Sequence, residues 1–332
     1  GDSGDAGMAT ATATFLVLPY AFAYDMTVAG LAALILLRQS LGRSPLFVFA
    51  AAAAALVPLA GEWALTVDSQ IEGVHFPTGL DPALVARRLL AVNLSDLAAA
   101  GAAPVYAFLA LSTPLGFDHR RFFEAFLAAC RGHGLTLAGG DLARCPHGVV
   151  ATLTLLGEPP AGGVHLSRSA AAAGHELWIG GTLGESAAGQ RLLERGTRFD
   201  GERVVLPAEL EAAPPAVAEA ARRAVRRHLL PEPQLELGWA LGRLIRIGAV
   251  MDVSDGLSLD LHRLCESSGV GAVVDAPALP TAPGFAGLCD VLEEDPETRV
   301  LGGGVYYVLL FTLPAGRPPP ISSGSRTPKR GS

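Results

Sequence analysis

Five aspartates interrupt apolar segments of this 332-residue chain, and they restrict the folds that the chain can adopt. An ionised carboxylate among apolar side chains is costly unless it is paired, caps a helix or binds a metal ion. A fold that buries these segments must therefore supply such partners. The five residues are Asp68, Asp96, Asp141, Asp252 and Asp255.

Each of these aspartates has an ordinary structural explanation when it is taken alone. Asp255 or Ser254 can cap a helix, and Asp96 can bond a nearby backbone turn. Asp141 follows two glycines and can lie in a turn. Five such positions together favour a shared role, because carboxylates from several strand ends are the oxygen ligands that Mg²⁺ requires. Since Mg²⁺ bridges phosphates, the set predicts a metal site for a phosphorylated ligand.

The composition is that of a folded acidic protein. Half of the residues are hydrophobic and 17% are charged, which excludes a disordered solvating chain. The 25 Lys and Arg residues against 32 Asp and Glu give a net charge of -7. A general basic field for nucleic acid is therefore not expected, and nucleic acid is not predicted as a partner.

The four cysteines are scattered along the chain without a CxxC pair. Neither a zinc site nor a disulfide framework is expected from such spacing. Reduced thiols in a reducing compartment are the simplest interpretation, and the sequence predicts a cytoplasmic protein.

Both ends of the chain are atypical. Residues 1–45 form an apolar N-terminal segment, and a second apolar stretch follows at residues 46–60. Their longest apolar runs are separated by Arg38, Arg43 and Pro45, and each is shorter than the roughly 20 residues of a membrane-spanning helix. A membrane segment is therefore not expected, although membrane association and a degenerate or frame-shifted segment stay open as alternatives. The tail, residues 315–332, has no apolar periodicity, and we expect it to be disordered.

Between these ends, short strands and helices alternate without one long βαβ series, which favours an α/β and α+β protein over a Rossmann sheet. The linker at residues 158–163 predicts two domains, residues 46–160 and residues 161–314. The predicted strands are residues 64–67, 105–111, 135–138, 149–156, 176–179, 249–253, 271–275 and 306–312. The first predicted helix begins at Pro82 and is capped by Asp81. Further helices are predicted at residues 119–133, 186–195, 235–247 and 254–267, and residues 209–227 are a helix or a mobile excursion.

Two further residues are candidates for phosphate contact. His75 follows the strand that carries Asp68, and it is either a donor to an anion or a structural histidine. Arg168 is either a phosphate clamp or a solvated linker arginine. The chain contains no GxGxxG, GxxxxGK[ST] or GxSxG motif, so a dinucleotide enzyme, a P-loop kinase and an acyl-enzyme mechanism are not supported.

Four motifs in order resemble those of the thiamine-monophosphate kinase family, part of the aminoimidazole-ribonucleotide synthetase-like group. They are TVDSQIEGVHF at 66–76, NLSDLAAAG at 93–101, GGD at 139–141 and DVSDG at 252–256. Arg168 and the stretch LPEPQLELG at 230–238 also fit, so the resemblance covers roughly residues 54–312.

The resemblance implies an N-terminal α/β domain that dimerises through its sheet and a C-terminal α+β domain. It also implies phosphorylation of thiamine monophosphate to thiamine diphosphate by direct transfer from ATP with several Mg²⁺ ions. The residues that it would assign to metal are Thr66, Asp68, Asp96, Asp141, Asp252 and Asp255. Those that it would assign to ATP are Gly140, Asp141, Arg168 and Ser254, and His75 would contact the substrate.

Four features depart from the family pattern, and one of them is Val67, which replaces a usual threonine. The alanines at 51–53 stand where the family has Gly-Asp-Asp, a metal motif, and Val305 stands where it has a substrate-contacting glutamate. The family's final segment, with a substrate-stacking tryptophan, has no counterpart. Because lost transition-state contacts are costly, a catalytically impaired nucleotide-binding homologue is the alternative to an active kinase.

Overall fold

A computed structural model of the protein describes residues 61–320 and 329–331. The apolar stretches before residue 61, the alanines at 51–53, and residues 321–328 and 332 lie outside the described residues. Within the described part, no helix combines the length and the apolar character that crossing a membrane requires.

The first half of the fold is a four-stranded sheet with helices on one face. Its strands are β1 (Ala64–Ile71), β2 (Ala103–Thr113), β3 (Thr136–Arg144) and β4 (Val150–Glu158). They lie in the order β1-β4-β2-β3, in which β2 and β3 are parallel and the other pairs antiparallel. Alternation along β1 buries Thr66 and Gln70 and exposes Leu65 and Val67, so the sheet has one covered and one open face.

Two helices, α1 (Pro82–Ala99) and α2 (His119–Gly132), complete this half. The predicted cap of α1 is confirmed, because the Asp81 carboxylate accepts the Ala83 N–H at 2.8 Å and Pro82 occupies the first helical position. Asp118 caps α2 in the same way through the Arg121 N–H at 2.9 Å. Helix α1 is buried along most of its length, which makes it the centre of the core.

The second half contains another four-stranded sheet, in the antiparallel order β10-β5-β9-β8, and a small β6–β7 hairpin. Its strands are β5 (His175–Ile179), β6 (Arg198–Phe199), β7 (Val204–Val205), β8 (Val250–Val253), β9 (Val308–Pro314) and β10 (Lys329–Gly331). Its helices are α3 (Glu185–Glu194), α4 (Ala208–Glu211), α5 (Pro215–Leu229), α6 (Leu235–Gly242), α7 (Leu257–Ser268), α8 (Phe285–Leu292) and α9 (Pro296–Gly302).

The two halves meet where α6 packs against α1. A Cβ on Gly238 would lie 2.1 Å from the Ala98 carbonyl oxygen, so the contact between these helices requires glycine. The neighbouring Trp239 indole N–H donates to the Ala102 carbonyl at 3.0 Å. One hydrophobic core therefore continues from the first sheet into α6 and β9, and the α/β and α+β fold class is confirmed.

Several predicted boundaries are wrong. Residues 271–275 form no strand, because no neighbouring strand pairs with them and Val273 is exposed. The helix predicted at 235–247 ends at Gly242. Residues 209–227, expected to be a helix or a mobile excursion, belong to two helices, α4 and α5, which residues 212–214 separate. Ser254 caps no helix, since α7 begins three residues later after Gly256. In the tail expected to be disordered, β10 pairs with β5.

Candidate active site

Strand β1 and helix α1 enclose the first part of the site. Alternation turns Thr66, Asp68 and Gln70 towards α1, and the Thr66 hydroxyl donates a hydrogen bond to the Asp96 carboxylate. Burial raises the pKa of Asp68 above its ordinary value. Burial, and then the charge of Asp68, raises the pKa of Asp96 to about 6. Asp68 lies inside β1 rather than at its end, where the sequence predicted it.

Strand β8 brings Asp252 to the same place from the second half of the chain. Its carboxylate lies 3.5 Å from the Ser95 hydroxyl of α1. Burial, and then the charges of Asp96 and Asp260, raise the pKa of Asp252 to about 7. Asp96 is therefore within electrostatic range of both Asp68 and Asp252, and the three carboxylates, on three elements, form one acidic cluster.

The turn after β8 carries Ser254 and Asp255, and α7 holds it in place. One carboxylate oxygen of the buried Asp260 accepts the N–H groups of Ser254 and Asp255, each at 2.9 Å. Arg263 donates to Asp260 at 2.9 Å and to Asp255 at 2.5 Å. The Asp255 charge also raises the pKa of Asp68 slightly, after burial, so the turn faces β1. Sequence reasoning missed Asp260 and Arg263.

The segment before β9 lies against this turn. The Val305 N–H donates to the Ser254 carbonyl at 2.5 Å, and the Tyr307 N–H donates to the Val253 carbonyl at 2.9 Å. Val305 has φ 69° and Tyr307 has φ 52°. A positive φ is uncommon for any residue other than glycine, and it is strained for Val305 because valine is β-branched. A Cβ on Gly304 would lie 2.9 Å from the Ser254 carbonyl oxygen, so this close approach needs glycine.

A buried arginine of α1 lies within electrostatic range of the acidic cluster. Arg88 of α1 is 1% exposed and donates to the Gln70 side chain at 2.9 Å and to the His228 carbonyl of α5. Its charge lowers the pKa of Asp68, although the burial of Asp68 outweighs it. Burial, together with the Arg88 charge, lowers the pKa of His228 to about 3, so that imidazole is neutral at pH 7. No pattern in the sequence indicated this arginine.

His75 lies beside the acidic cluster at a small cavity. Its Nδ1 accepts the Ile71 N–H at 3.0 Å, which folds the chain back after β1. The cavity has a volume of about 140 Å³ and separates the 73–77 turn from α3 and His228. An electrostatic interaction with His75 lowers the pKa of Asp68, although burial is again the larger effect, so His75 lies within range of the cluster.

Three predicted residues lie apart from these groups. Gly140 is level with Asp68 across the sheet, but two strands separate β3 from β1, a distance of about 14 Å. Gly140 and Asp141 lie within β3 rather than in a turn, and Asp141 is exposed. Arg168 is exposed, and its carbonyl accepts the Ser268 hydroxyl at the end of α7 remote from Asp255.

A larger cavity, of about 820 Å³, lies elsewhere, between the end of α5 and the start of α6. Arginines 223, 226 and 227 and Trp239 line it, together with Glu232 and Glu236. None of the residues predicted for metal, ATP or substrate contributes to its wall. The size of a cavity therefore does not locate the acidic cluster in this fold.

Known proteins are similar to this chain in sequence and in fold. Residues 51–158 match the family described as AIR synthase related protein, N-terminal domain. Thiamine-monophosphate kinase of Salmonella typhimurium is 36% identical over 253 residues, 76% of this chain and 71% of that protein. This chain belongs to the thiamine-monophosphate kinase family.

Solved structures of thiamine-monophosphate kinases agree with this assignment. The crystal structure of the Aquifex aeolicus enzyme aligns with TM-score 0.68 and 27% identity, over 81% of this chain and 83% of that chain. A structure of AaThiL complexed with AMPPCP and TMP aligns with TM-score 0.68 and 26% identity, over 84% and 82% of the two chains.

One expected departure from the thiamine-monophosphate kinase family pattern lies in the segment that touches the Ser254 turn. Val305 occupies the position where the resemblance implies glutamate, and its backbone contacts the turn directly. An aliphatic side chain therefore lies next to the acidic cluster, at the position where the resemblance implies a carboxylate. The other departure, the alanines at 51–53, lies outside the described residues.

Proposed function

We propose that this chain phosphorylates thiamine monophosphate to thiamine diphosphate, using ATP, by direct phosphoryl transfer. A phosphate oxygen of the acceptor bonds to the γ-phosphorus of ATP, the bond to the β-phosphate bridge breaks, and ADP leaves. Membership of the thiamine-monophosphate kinase family supports the reaction, as does the related AaThiL structure complexed with AMPPCP and TMP. The single observation that carries the proposal is the cluster of Asp68, Asp96 and Asp252.

The donor set fits Mg²⁺. Within residues 61–320, no three His, Cys, Asp or Glu side chains approach closely enough to enclose an ion by themselves. Mg²⁺ needs no such cage, because it keeps several waters and binds one or two carboxylates together with substrate phosphates. When bound, it supplies positive charge that neutralises the phosphates during transfer. The residues that would hold the several Mg²⁺ ions of the family are Thr66, Asp68, Asp96, Asp252 and Asp255, and Asp141, which lies across the sheet, would hold a separate ion.

The remaining assignments concern the two ligands. Gly140, Asp141, Arg168 and Ser254 would contact ATP. His75 would contact the substrate, and its geometry supports a donor role. Because Nδ1 accepts the Ile71 N–H, the proton of a neutral imidazole lies on Nε2, which can donate to a phosphate oxygen. Arg88 would hold β1 in register with α5 beneath the cluster, since it bonds both elements.

A catalytically impaired nucleotide-binding homologue is the second candidate. Val305 is the observation that favours it, because an aliphatic side chain at the Ser254 turn can neither ligate a metal nor accept a hydrogen bond from substrate. Such a protein would bind ATP with Mg²⁺ through the aspartates but transfer no phosphate. Product formation separates the two candidates.

We further propose two domains, residues 46–160 and 161–314, and a homodimer in the cytoplasm. The open face of the first sheet supports dimerisation, since the adjacent alternate residues Leu65 and Val67 of β1 are 64% and 56% exposed. The four cysteines are free thiols, as in a reducing compartment.

Titration of ATP into the protein, with and without Mg²⁺, tests the metal assignment. We expect binding that depends on Mg²⁺ and that weakens at least tenfold in Asp255→Asn. Asp118→Asn is the matched control, because asparagine also caps a helix and Asp118 lies outside the cluster. If Asp255→Asn binds Mg²⁺–ATP as tightly as Asp118→Asn, Asp255 is not a ligand.

A further inference from the structure

Helix α7 anchors the Ser254–Asp255 turn through Asp260. One oxygen of this buried carboxylate accepts two consecutive backbone N–H groups, so the direction in which the turn presents Asp255 is fixed. Hydrogen bonds to an ionised acceptor are about twice as strong as neutral ones. Asp260 is therefore a positioning group for the turn.

Arg263 connects this anchor to the Asp255 carboxylate. Its Nη1 lies 2.9 Å from Asp260 Oδ1 and 2.5 Å from Asp255 Oδ2. The Asp260 side chain is 1% exposed, whereas those of Arg263 and Asp255 are 41% and 53% exposed. Water or an ion can thus replace the guanidinium at Asp255, while the contact with Asp260 is shielded.

Arg263 partly neutralises the negative charge of the turn, which affects how strongly the turn can bind a metal ion. Asp252, Asp255 and Asp260 bring three carboxylates to one turn, and the cation that contacts two of them is Arg263. A divalent ion that binds Asp255 through Oδ2 must compete with this guanidinium for that oxygen atom. Two like charges at one carboxylate also repel each other.

We propose that Arg263 is a displaceable counter-cation that holds the Asp255 carboxylate in position and lowers its affinity for divalent metal until the ion replaces it. This inference rests on the proposed function, in which Asp255 binds metal. It assigns a role to a residue outside the DVSDG motif. Arg263 tunes metal affinity, and Asp260 keeps the vacated carboxylate pointing the same way.

Binding of Mn²⁺ to the full chain without nucleotide, followed by electron paramagnetic resonance, tests the proposal. We expect Arg263→Gln to bind Mn²⁺ roughly two- to fivefold more tightly than the parent, the size of an exposed ion pair. Arg263→Lys keeps the charge and should stay close to the parent. Arg120→Gln removes another exposed, ion-paired arginine, from α2 and outside the cluster, and should change nothing.

Two further variants separate this inference from the proposed function. In Asp255→Asn the Mn²⁺ affinity should fall, and adding Arg263→Gln to it should give no gain. If Asp255→Asn binds Mn²⁺ like the parent, or if the parent binds none, the metal role of Asp255 fails and this inference fails with it. If Asp255→Asn weakens binding but Arg263→Gln leaves it unchanged, only the counter-cation role is overturned.

A direct role of Arg263 in holding nucleotide predicts the opposite result. Arg263→Gln would then weaken the binding of ADP with Mn²⁺, and such weakening would overturn the proposal. Circular dichroism and thermal unfolding of each variant show whether the turn remains folded. A lower affinity in a variant with lost structure would also count against the proposal, since it would make Arg263 a structural residue.

Discussion

The hydroxyl group of Thr66 donates a hydrogen bond to the carboxylate of Asp96, so that β1 and α1 meet at a polar contact inside the protein. Four residues further along β1, Gln70 accepts a hydrogen bond from Arg88, eight residues earlier in α1. Four strand residues span about 13 Å and eight helical residues about 12 Å. The matching lengths let an antiparallel strand and helix align two polar pairs, with Asp68 between them.

Thr66→Val tests the contact between Thr66 and Asp96. The substitution keeps the shape and removes the donor, so Asp96 should ionise less readily and bind metal more weakly. We expect kcat/KM with Mg²⁺–ATP to fall about tenfold or more, as for loss of a hydrogen bond to a charged partner. Thr66→Ser retains the hydroxyl and should stay near the parent. Equal activity of Thr66→Val and Thr66→Ser would contradict the assignment.

The raised pKa values of Asp96 and Asp252 predict how metal-free stability depends on pH. With pKa values of about 6 and about 7 against the ordinary 3.8, the folded protein holds more protons than the unfolded chain between about pH 4 and pH 7. The free energy of unfolding contributed by these groups therefore falls as pH rises through that range. The lowered pKa of His228 acts in the opposite direction.

Comparison of the parent with Asp252→Asn cancels the contribution of His228. Between pH 5 and pH 8, the melting temperature of the metal-free parent should fall relative to that of Asp252→Asn, which cannot ionise at this position. Mg²⁺–ATP should raise the melting temperature of the parent more at pH 8 than at pH 5, because the ion binds the ionised carboxylates. Parallel curves for the two proteins would show that Asp252 does not titrate in this range.

Gly238→Ala tests the contact that joins the two halves of the fold. The added Cβ would collide with the Ala98 carbonyl, so α1 and α6 must move apart, at a cost of about 1–3 kcal/mol. Gly132→Ala, at the end of α2, meets open space and should be neutral or slightly stabilising. Chemical denaturation of both variants measures the difference, and equal stabilities would contradict the close approach.

Val305→Glu restores the carboxylate that the family resemblance implies at the Ser254 turn. It also replaces a β-branched residue at φ 69° with an unbranched one, which lowers the strain. We expect kcat/KM for thiamine monophosphate to rise about tenfold, with Val305→Gln as the uncharged control. A rise in both variants alike would assign the gain to backbone relief rather than to the carboxylate.

The sequence indicated members of the acidic cluster where a local pattern and a tertiary contact coincide. The argument that embedded carboxylates need partners identified Asp68, Asp96 and Asp252, which three elements bring together. The same argument applies to Asp260, which is flanked by leucines in α7, but this residue was not singled out beside the neighbouring DVSDG motif at 252–256. Arg88 could not be predicted, because its partner at His228 lies 140 residues away.

The glycines at 139–140 show why a local rule gave the wrong element. Two glycines before an aspartate favour a turn, yet they lie within β3. A Cβ on Gly140 would lie 1.9 Å from the Leu109 carbonyl oxygen, so the glycine permits a close approach of β2 rather than a reversal of the chain. That requirement is set by the parallel pairing of the two strands, which the sequence does not state.

Incubation of the purified protein with thiamine monophosphate, ATP and Mg²⁺ tests the central claim most directly. Thiamine diphosphate is quantified by chromatography, with Asp255→Asn and Asp118→Asn assayed beside the parent. The account predicts product from the parent and from Asp118→Asn, and at least a hundredfold less from Asp255→Asn. No product from a folded parent that binds Mg²⁺–ATP would contradict the kinase and establish the impaired homologue in its place.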